Sequence, residues 1–371
     1  MKKALKDILK KIFQQLSNLF YGKIKGVIEA KEDENITIKL VKENKGINYK
    51  VFIVKNGRMY TDRVHDSAVI SENFVVEGPS QQFRPINPKK INEAAKENIV
   101  FKKGTPRIKR NLNGKVLSLL TGGAGNNNYW HWLFDVLPRL ALCEKTLGLN
   151  KINFFLLPSL HRKFQIQSLE LLDIPKNKCL SSEFFSHIQS TELIATEHPV
   201  VINNDASYSI QNMPAWISNW LKEKYILKKK KDNIKFPNKI FIDRRNEKNT
   251  TGHRSLLNEE EIVSFLNNAG FKAIKLEETN FIDQVNIFNN AQIIVGLHGA
   301  GFANISFCKP GTKVIELKNN SDDPVIKNLS LTNKLLHKAI NCQPEGTGYK
   351  HQYGHINVPL KNLENTLESF K

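Results

Sequence analysis

The strongest periodicity in the chain lies in residues 1–22, MKKALKDILKKIFQQLSNLFYG. Leu5, Ile8, Leu9, Ile12, Leu16, Leu19 and Phe20 recur there at three-and-four spacing, with Lys2, Lys3, Lys6, Lys10 and Lys11 elsewhere. That spacing predicts an amphipathic helix stopped by Gly22. Its apolar stripe has two possible partners: the rest of the protein or a second subunit, or the surface of an anionic membrane in whose plane the helix lies. Residues 36–60 then alternate in places (ITIKLV, YKVFIV) and carry Asn56-Gly57, a hairpin signal. A short strand is expected over 69–77, so residues 25–80 read as a β-rich start.

From residue 115 the pattern changes to strand–helix alternation. KVLSLLT (115–121) reads as a buried strand and is followed by Gly122-Gly123-Ala124-Gly125 and three asparagines. Residues 129–147 read as a helix that admits Pro138 only with a kink or break. A strand over 152–157 and a helix over 163–172 continue a layered α/β arrangement. A helix over 212–231 runs into the lysine tract 228–231, taken as a domain boundary. Beyond it come a strand (239–243), a polar loop, a helix (258–268) with Asn258 as its N-cap, a strand (271–276), a helix (281–290) and a strand (292–297). That is a doubly wound unit. Residues 321–371 carry weaker helical patterns and a short HINVPL strand.

Length and composition set the frame. At roughly 150 residues per domain, 371 residues suggest an amphipathic helix over 1–24, an α/β domain with the β-rich start over 25–230, and a Rossmann-like domain over 231–371 whose last helix is free to pack back on the domain before it. With 40% hydrophobic and 25% charged residues the chain is of ordinary globular composition. No apolar run reaches 18 residues and no signal-peptide h-region is present. Cys143, Cys179, Cys308 and Cys342 are scattered without a CxxC pair, which fits buried reduced thiols in a cytosolic protein. The net charge of +19 suits nucleic acid, an anionic membrane or a phosphate-bearing ligand. The lysines are dispersed among asparagines and no nucleic-acid motif accompanies them, so no nucleic-acid partner is expected.

The candidate chemistry gathers at three places. In QIIVGLHGAGFANISFCKPGTKVIEL (292–317) a strand ends in His298-Gly299-Ala300-Gly301, a helix starts at Phe302, and a second strand carries Glu316 near its carboxyl end. Small residues at such a turn admit a ligand close to the backbone, and the helix start favours a phosphate. Asp243-Arg244-Arg245 ends another strand, with His253-Arg254 further along the loop, and arginines there fit bidentate clamping of a diphosphate. In the third, NNNYWHWLFDVLPR (126–139), His131 and Asp135 stand at i and i+4 on one helix face, the equipment of an oriented general base. Each also has a plain structural reading: a tight turn, a salt-bridged loop, an aromatic core helix. The first two map to the same edge of one predicted sheet, and that agreement favours a ligand site there.

Taken together, YWHWLFDVLPR, IDRR…HRSLLNEEE and FKAIKLEETNFIDQVNIFNNAQIIVGLHGAGFANISFCKPGTKVIEL resemble glycosyltransferase family 61. That family includes bacterial capsular-polysaccharide proteins and eukaryotic transferases of N-acetylglucosamine and xylose. The resemblance covers residues 115–320. It implies a GT-B-like fold, two Rossmann-like domains facing across a cleft, and inverting transfer from a nucleotide-sugar donor to a glycan or glycolipid, in capsule or surface polysaccharide synthesis. Carried over, His298, Gly299, Ala300, Gly301 and Asn304 line the donor diphosphate, Arg244 and Arg254 are the paired arginines, and Glu316 sits near the nucleoside. His131 and Asp135 match the HWxxDxLPR segment.

Asp-x-Asp occurs nowhere in the sequence, so no metal and no cofactor is expected. The leaving group's charge then falls to Arg244, Arg245 or Arg254 and the helix start after His298. The base is His131 or Asp135, with His298 as runner-up and candidate leaving-group stabiliser. Two other functions remain open at this level: a non-catalytic glycan- or nucleotide-binding protein on the same fold, and a peripheral membrane scaffold. The expected location is the cytoplasm, with possible peripheral contact to the inner face of the membrane.

Overall fold

The computed structural model describes residues 2–42, 48–62, 66–80, 84–87, 90–92, 95–120, 127–200, 212–226, 228, 235–244, 254–345 and 354–370, with the backbone alone for 2–8, 10, 84–87 and 90–92. It forms two compact units, Met1–Ser209 and Ile210–Lys371. Both are α/β.

The first unit is built on a mixed ten-stranded sheet. Its spine is His187–Thr196, which pairs in parallel with Arg110–Ser118 and antiparallel with both Asn48–Lys55 and Arg58–Thr61. Phe154–Leu157 and Cys179–Ser181 extend the parallel side. The spine was not foreseen, because HIQSTELIAT mixes polar and apolar positions; burial on both faces comes from neighbours the pattern does not reveal. Asn56-Gly57 is not a hairpin turn either. Asn56 has the left-handed φ of 50° that such a turn needs, yet the strands on its two sides do not pair with each other. Both lie along His187–Thr196, and the Asn56 amide donates to Thr191 O. The expected strand over 69–77 is in fact two, Ser67–Ser71 and Phe74–Val76. They are joined at Glu72-Asn73, where both residues have positive φ and form a genuine hairpin.

The second unit carries five parallel strands in the order Lys272–Ile274, Lys239–Ile242, Ile293–Leu297, Lys313–Asn319, Leu336–Cys342. Numbered along the chain this is 2-1-3-4-5, a doubly wound order. The predicted strands and the helices Glu259–Asn268 and Phe281–Asn290 are present. The fifth strand was missed because it lies at the sheet edge, half exposed, with no clean alternation in LHKAINC. Asn258 stands at the first helix's N-cap, but its side chain caps nothing. It exchanges two hydrogen bonds with the Val358 backbone instead.

One sheet face is closed by Glu259–Asn268 and the last helix, Leu360–Glu368, through Ile262, Leu266 and Leu363 against Val295, Ile315 and Leu317. Tyr225, Phe281 and Phe307 meet edge to face, with centroids 4.9–6.3 Å apart, and lock together the helices Ala215–Ile226, Phe281–Asn290 and the 3₁₀ helix Ala300–Phe307. Residues 215–226, placed before the boundary by the lysine tract, therefore pack in the second unit. Of that tract only Lys228 is described. All four cysteines are free thiols.

Phe281 is fully buried at the centre of this cluster. Phe281→Ala should cost about 3–5 kcal/mol, read as a lower urea midpoint at unchanged slope. An unchanged midpoint would mean that the three helices do not depend on it.

Candidate active site

In a doubly wound sheet a ligand binds outside the carboxyl ends of the strands where the strand order reverses. Here the reversal falls between Lys239–Ile242 and Ile293–Leu297, the two strands that run into Arg244 and His298. Four of the residues expected at one edge do converge there. Arg254 donates from a guanidinium nitrogen to the His298 carbonyl at 3.0 Å, and Arg244 to the same oxygen at 3.5 Å. His298 Nδ1 hydrogen-bonds Glu316 Oε1.

Register explains that contact. Strand Lys313–Asn319 alternates: Ile315 and Leu317 enter the apolar cluster while Glu316 takes the opposite face. The His298 amide donates to Leu317 O at 2.8 Å, which sets the imidazole beside the carboxylate. Glu316 Oε2 is taken by His337 Nε2 at 2.8 Å. Burial alone would neutralise Glu316, which is 1% exposed. The two imidazole hydrogen bonds, helped by the charges of His298 and Lys318, outweigh burial and hold its pKa down at about 2. Glu316 therefore fixes the His298 ring from behind, with each of its oxygens engaged by one imidazole. On the other side of the ring, Asp323 Oδ2 lies 3.7 Å from Nε2. His337 and Asp323 were not foreseen, and nothing local marks them.

The glycines act through space rather than backbone freedom. Gly299 has an extended backbone (φ 164°) open to any residue. A Cβ there would come 2.9 Å from the Arg244 guanidinium, and one on Gly301 would come 2.8 Å from Leu276 Cδ1. Ala300 is half-buried at the start of the 3₁₀ helix. Asn304, expected to line the donor diphosphate, is fully buried, donating to Gln284 Oε1 at 3.1 Å and Gly301 O at 3.2 Å, and so braces the turn from inside. Arg245 and His253 lie outside the described residues.

The first unit holds the second cluster. Asn128 caps its helix, accepting from the Trp130 amide at 2.9 Å; Asn126 and residues 122–125 lie outside the described residues. The expected break at Pro138 takes the form of a π-turn over Trp132–Val136, closed by Leu137 N to Trp132 O at 3.0 Å. The wider turn accommodates a residue with no N–H. His131 Nδ1 meets Asp135 Oδ2 at 2.6 Å, as the i, i+4 spacing requires.

Around this pair stand groups the sequence reading did not select. Arg139 Nε donates to Asp135 O at 3.0 Å and bridges to Thr196, and His198 Nε2 lies 3.9 Å from the carboxylate. Burial opposes the Asp135 charge, but His131, His198 and Arg139 outweigh it and lower its pKa. Burial also drives His198 down to about 3 and Arg139 to about 10, so the former is neutral and the latter charged at pH 7. Asp135 thus holds Nδ1 of a ring that is itself the more exposed partner, 22% against 10%.

The family model described as Glycosyltransferase 61 matches residues 129–315, half of the chain, from the His131 helix to the Glu316 strand. Over 79 residues the chain is 33% identical to the EGF domain-specific O-linked N-acetylglucosamine transferases of Canis lupus familiaris and Mus musculus, and 32% identical to that of Gallus gallus. Each match takes in 20% of this chain and 15% of the relative's length.

Glu316→Gln should lower stability at pH 7 by about 3–5 kcal/mol, the usual cost of breaking a buried ionic contact. Because the folded pKa of Glu316, about 2, lies below the ordinary 4.5, its contribution is complete above pH 4.5. It disappears as the pH falls toward 2. Denaturation midpoints of the two proteins should therefore approach each other over that window; a gap constant from pH 7 to 2 would contradict the arrangement.

Proposed function

The chain belongs to the glycosyltransferase 61 family, and we propose that it transfers a sugar from a nucleotide-sugar donor to a hydroxyl of a glycan or glycolipid, with inversion and without a metal ion. The observation that carries this reading is the convergence of Arg244 and Arg254 on the His298 turn at the reversal point of the second unit's sheet. That place, beside the start of a 3₁₀ helix, suits the diphosphate of the donor. A GT-B-like arrangement and a role in capsule or surface polysaccharide assembly belong to the same reading, supported by the family resemblance.

In the transfer, the acceptor oxygen attacks the anomeric carbon in line with the departing nucleoside diphosphate. The bond to the diphosphate breaks, and its electron pair leaves with the phosphate oxygen. His131 Nε2 takes the acceptor proton, its ring oriented by Asp135, as general-base catalysis requires. Arg244, Arg254 and the amide end after His298 neutralise the diphosphate, each contact contributing about 2–4 kcal/mol by analogy with oxyanion donors. His298, steadied by Glu316, stands ready to stabilise the leaving group. Arg244 and Arg254 thus act on the donor, His131 on the acceptor.

Thermal-shift screening against nucleoside diphosphates and their sugars, followed by donor hydrolysis without acceptor, tests the assignment; binding with no hydrolysis or transfer would mark a non-catalytic binder. Arg244→Ala should weaken nucleoside-diphosphate binding at least tenfold, and normal binding would refute the clamp. His131→Ala should keep donor affinity while turnover falls by about 10²–10⁴. Activity in excess EDTA should be undiminished, and an absolute need for added divalent ion would end the metal-free account.

A further inference from the structure

An amphipathic helix on a globular protein ordinarily buries its apolar stripe and leaves its polar face in water. Helix Lys2–Tyr21 is docked the other way round. Ser17 is buried, and Gln14, Asn18 and Tyr21 are half-buried. Ser17 and Asn18 press on the Gly104 turn, where an added Cβ would come 2.7 Å from Ser17 Oγ and 3.2 Å from Asn18 Oδ1. Tyr21 fastens the end of the helix: its carbonyl accepts from the Arg58 guanidinium at 2.8 Å and its hydroxyl from the Lys109 amide at 3.2 Å. On the opposite side Leu9, Ile12, Phe13, Leu16, Leu19 and Phe20 are all exposed, Leu19 to 79% and Phe20 to 72%. Polar groups hold the helix to the protein, and a row of six large apolar side chains faces outward. Patches of this kind mark interaction surfaces.

Charge selects among the occupants. Lys2, Lys3, Lys6, Lys10 and Lys11 lie on the same helix, Asp7 is its one acid, and the chain carries +19. Two copies meeting through this face would bring like charges together. A cavity of about 260 Å³ opens at the helix end, lined by Phe20, Tyr21, Lys55, Arg58, Lys109 and Glu72 among others. Among the described residues no carboxylate pairs with Arg58 or Lys109. Arg58 contacts the Tyr21 carbonyl and Asn73 Oδ1, and Lys109 contacts Gln189 Oε1. Burial lowers the pKa of both. Phe20 thus belongs both to the apolar row and to a cavity whose lining includes Lys55, Arg58 and Lys109 against one acid, Glu72. No described helix is long and apolar enough to cross a membrane.

We propose that helix Lys2–Tyr21 seats this protein on an anionic lipid bilayer, with its outward apolar row in the interface and its lysines drawn to the lipid phosphates. This goes beyond the transferase reading and does not depend on it, since membrane binding is measured without donor or acceptor.

The test is flotation of the full chain with vesicles of phosphatidylcholine, alone or with roughly one-third phosphatidylglycerol. Binding should be at least tenfold stronger to the anionic vesicles and should weaken in high salt. Leu16→Glu with Phe20→Glu, at exposed positions, should cut it at least tenfold without moving the unfolding midpoint, and Lys10→Glu with Lys11→Glu should do likewise. No flotation with either vesicle, or binding indifferent to the apolar-row substitutions, would overturn the proposal. So would a solution dimer that those substitutions dissolve while vesicles bind nothing.

Discussion

A carboxylate cut off from water stays ionised only if nearby donors replace the hydrogen bonds it has lost. Glu316 meets that condition with two imidazoles, one from the turn after Ile293–Leu297 and one from the neighbouring strand Leu336–Cys342. Three consecutive strand positions of the parallel sheet are thereby tied at one point near its carboxyl edge. The His298 turn inherits its shape from this tie. Its ring is fixed by Glu316, and its carbonyl is turned to the two arginines.

The first unit repeats the device with different parts. Asp135 is buried beneath His131, surrounded by Arg139 and His198, and holds the more exposed imidazole by Nδ1. The two clusters differ in what surrounds the ring. His298 has carboxylates on both sides, at Glu316 and Asp323. Among the described residues His131 pairs with one carboxylate and keeps a more exposed side chain. The division of labour proposed for the two histidines rests on this difference in surroundings rather than on residue type.

The N-terminal helix shows the opposite economy. Its fastening uses Ser17, Asn18 and Tyr21, while the apolar row stays largely exposed. Exposing six large apolar side chains to water is unfavourable at each of them. The arrangement makes physical sense when that surface is covered, and the lysines of the helix select what covers it.

Local pattern was enough to identify much of this protein. The helices over 259–268 and 281–290, the strands over 239–242 and 293–297, the i, i+4 meeting of His131 with Asp135 and the family resemblance all depend on residues close in the chain. Such residues interact through fixed periods of 3.6 or 2. Tertiary structure decided what depends on strands and faces far apart: the 2-1-3-4-5 order that puts Arg244 and His298 at a reversal point, the spine His187–Thr196, and the partners His337, His198 and Asp323. It also showed which neighbours Glu316 and Asn304 brace, because an alternating pattern says which residues share a face and not which neighbours will occupy it. The first helix makes the point most plainly. Its amphipathic stripe was legible at once, but which side of it met the protein depended on Gly104, Arg58 and Lys109, none of them local to the helix.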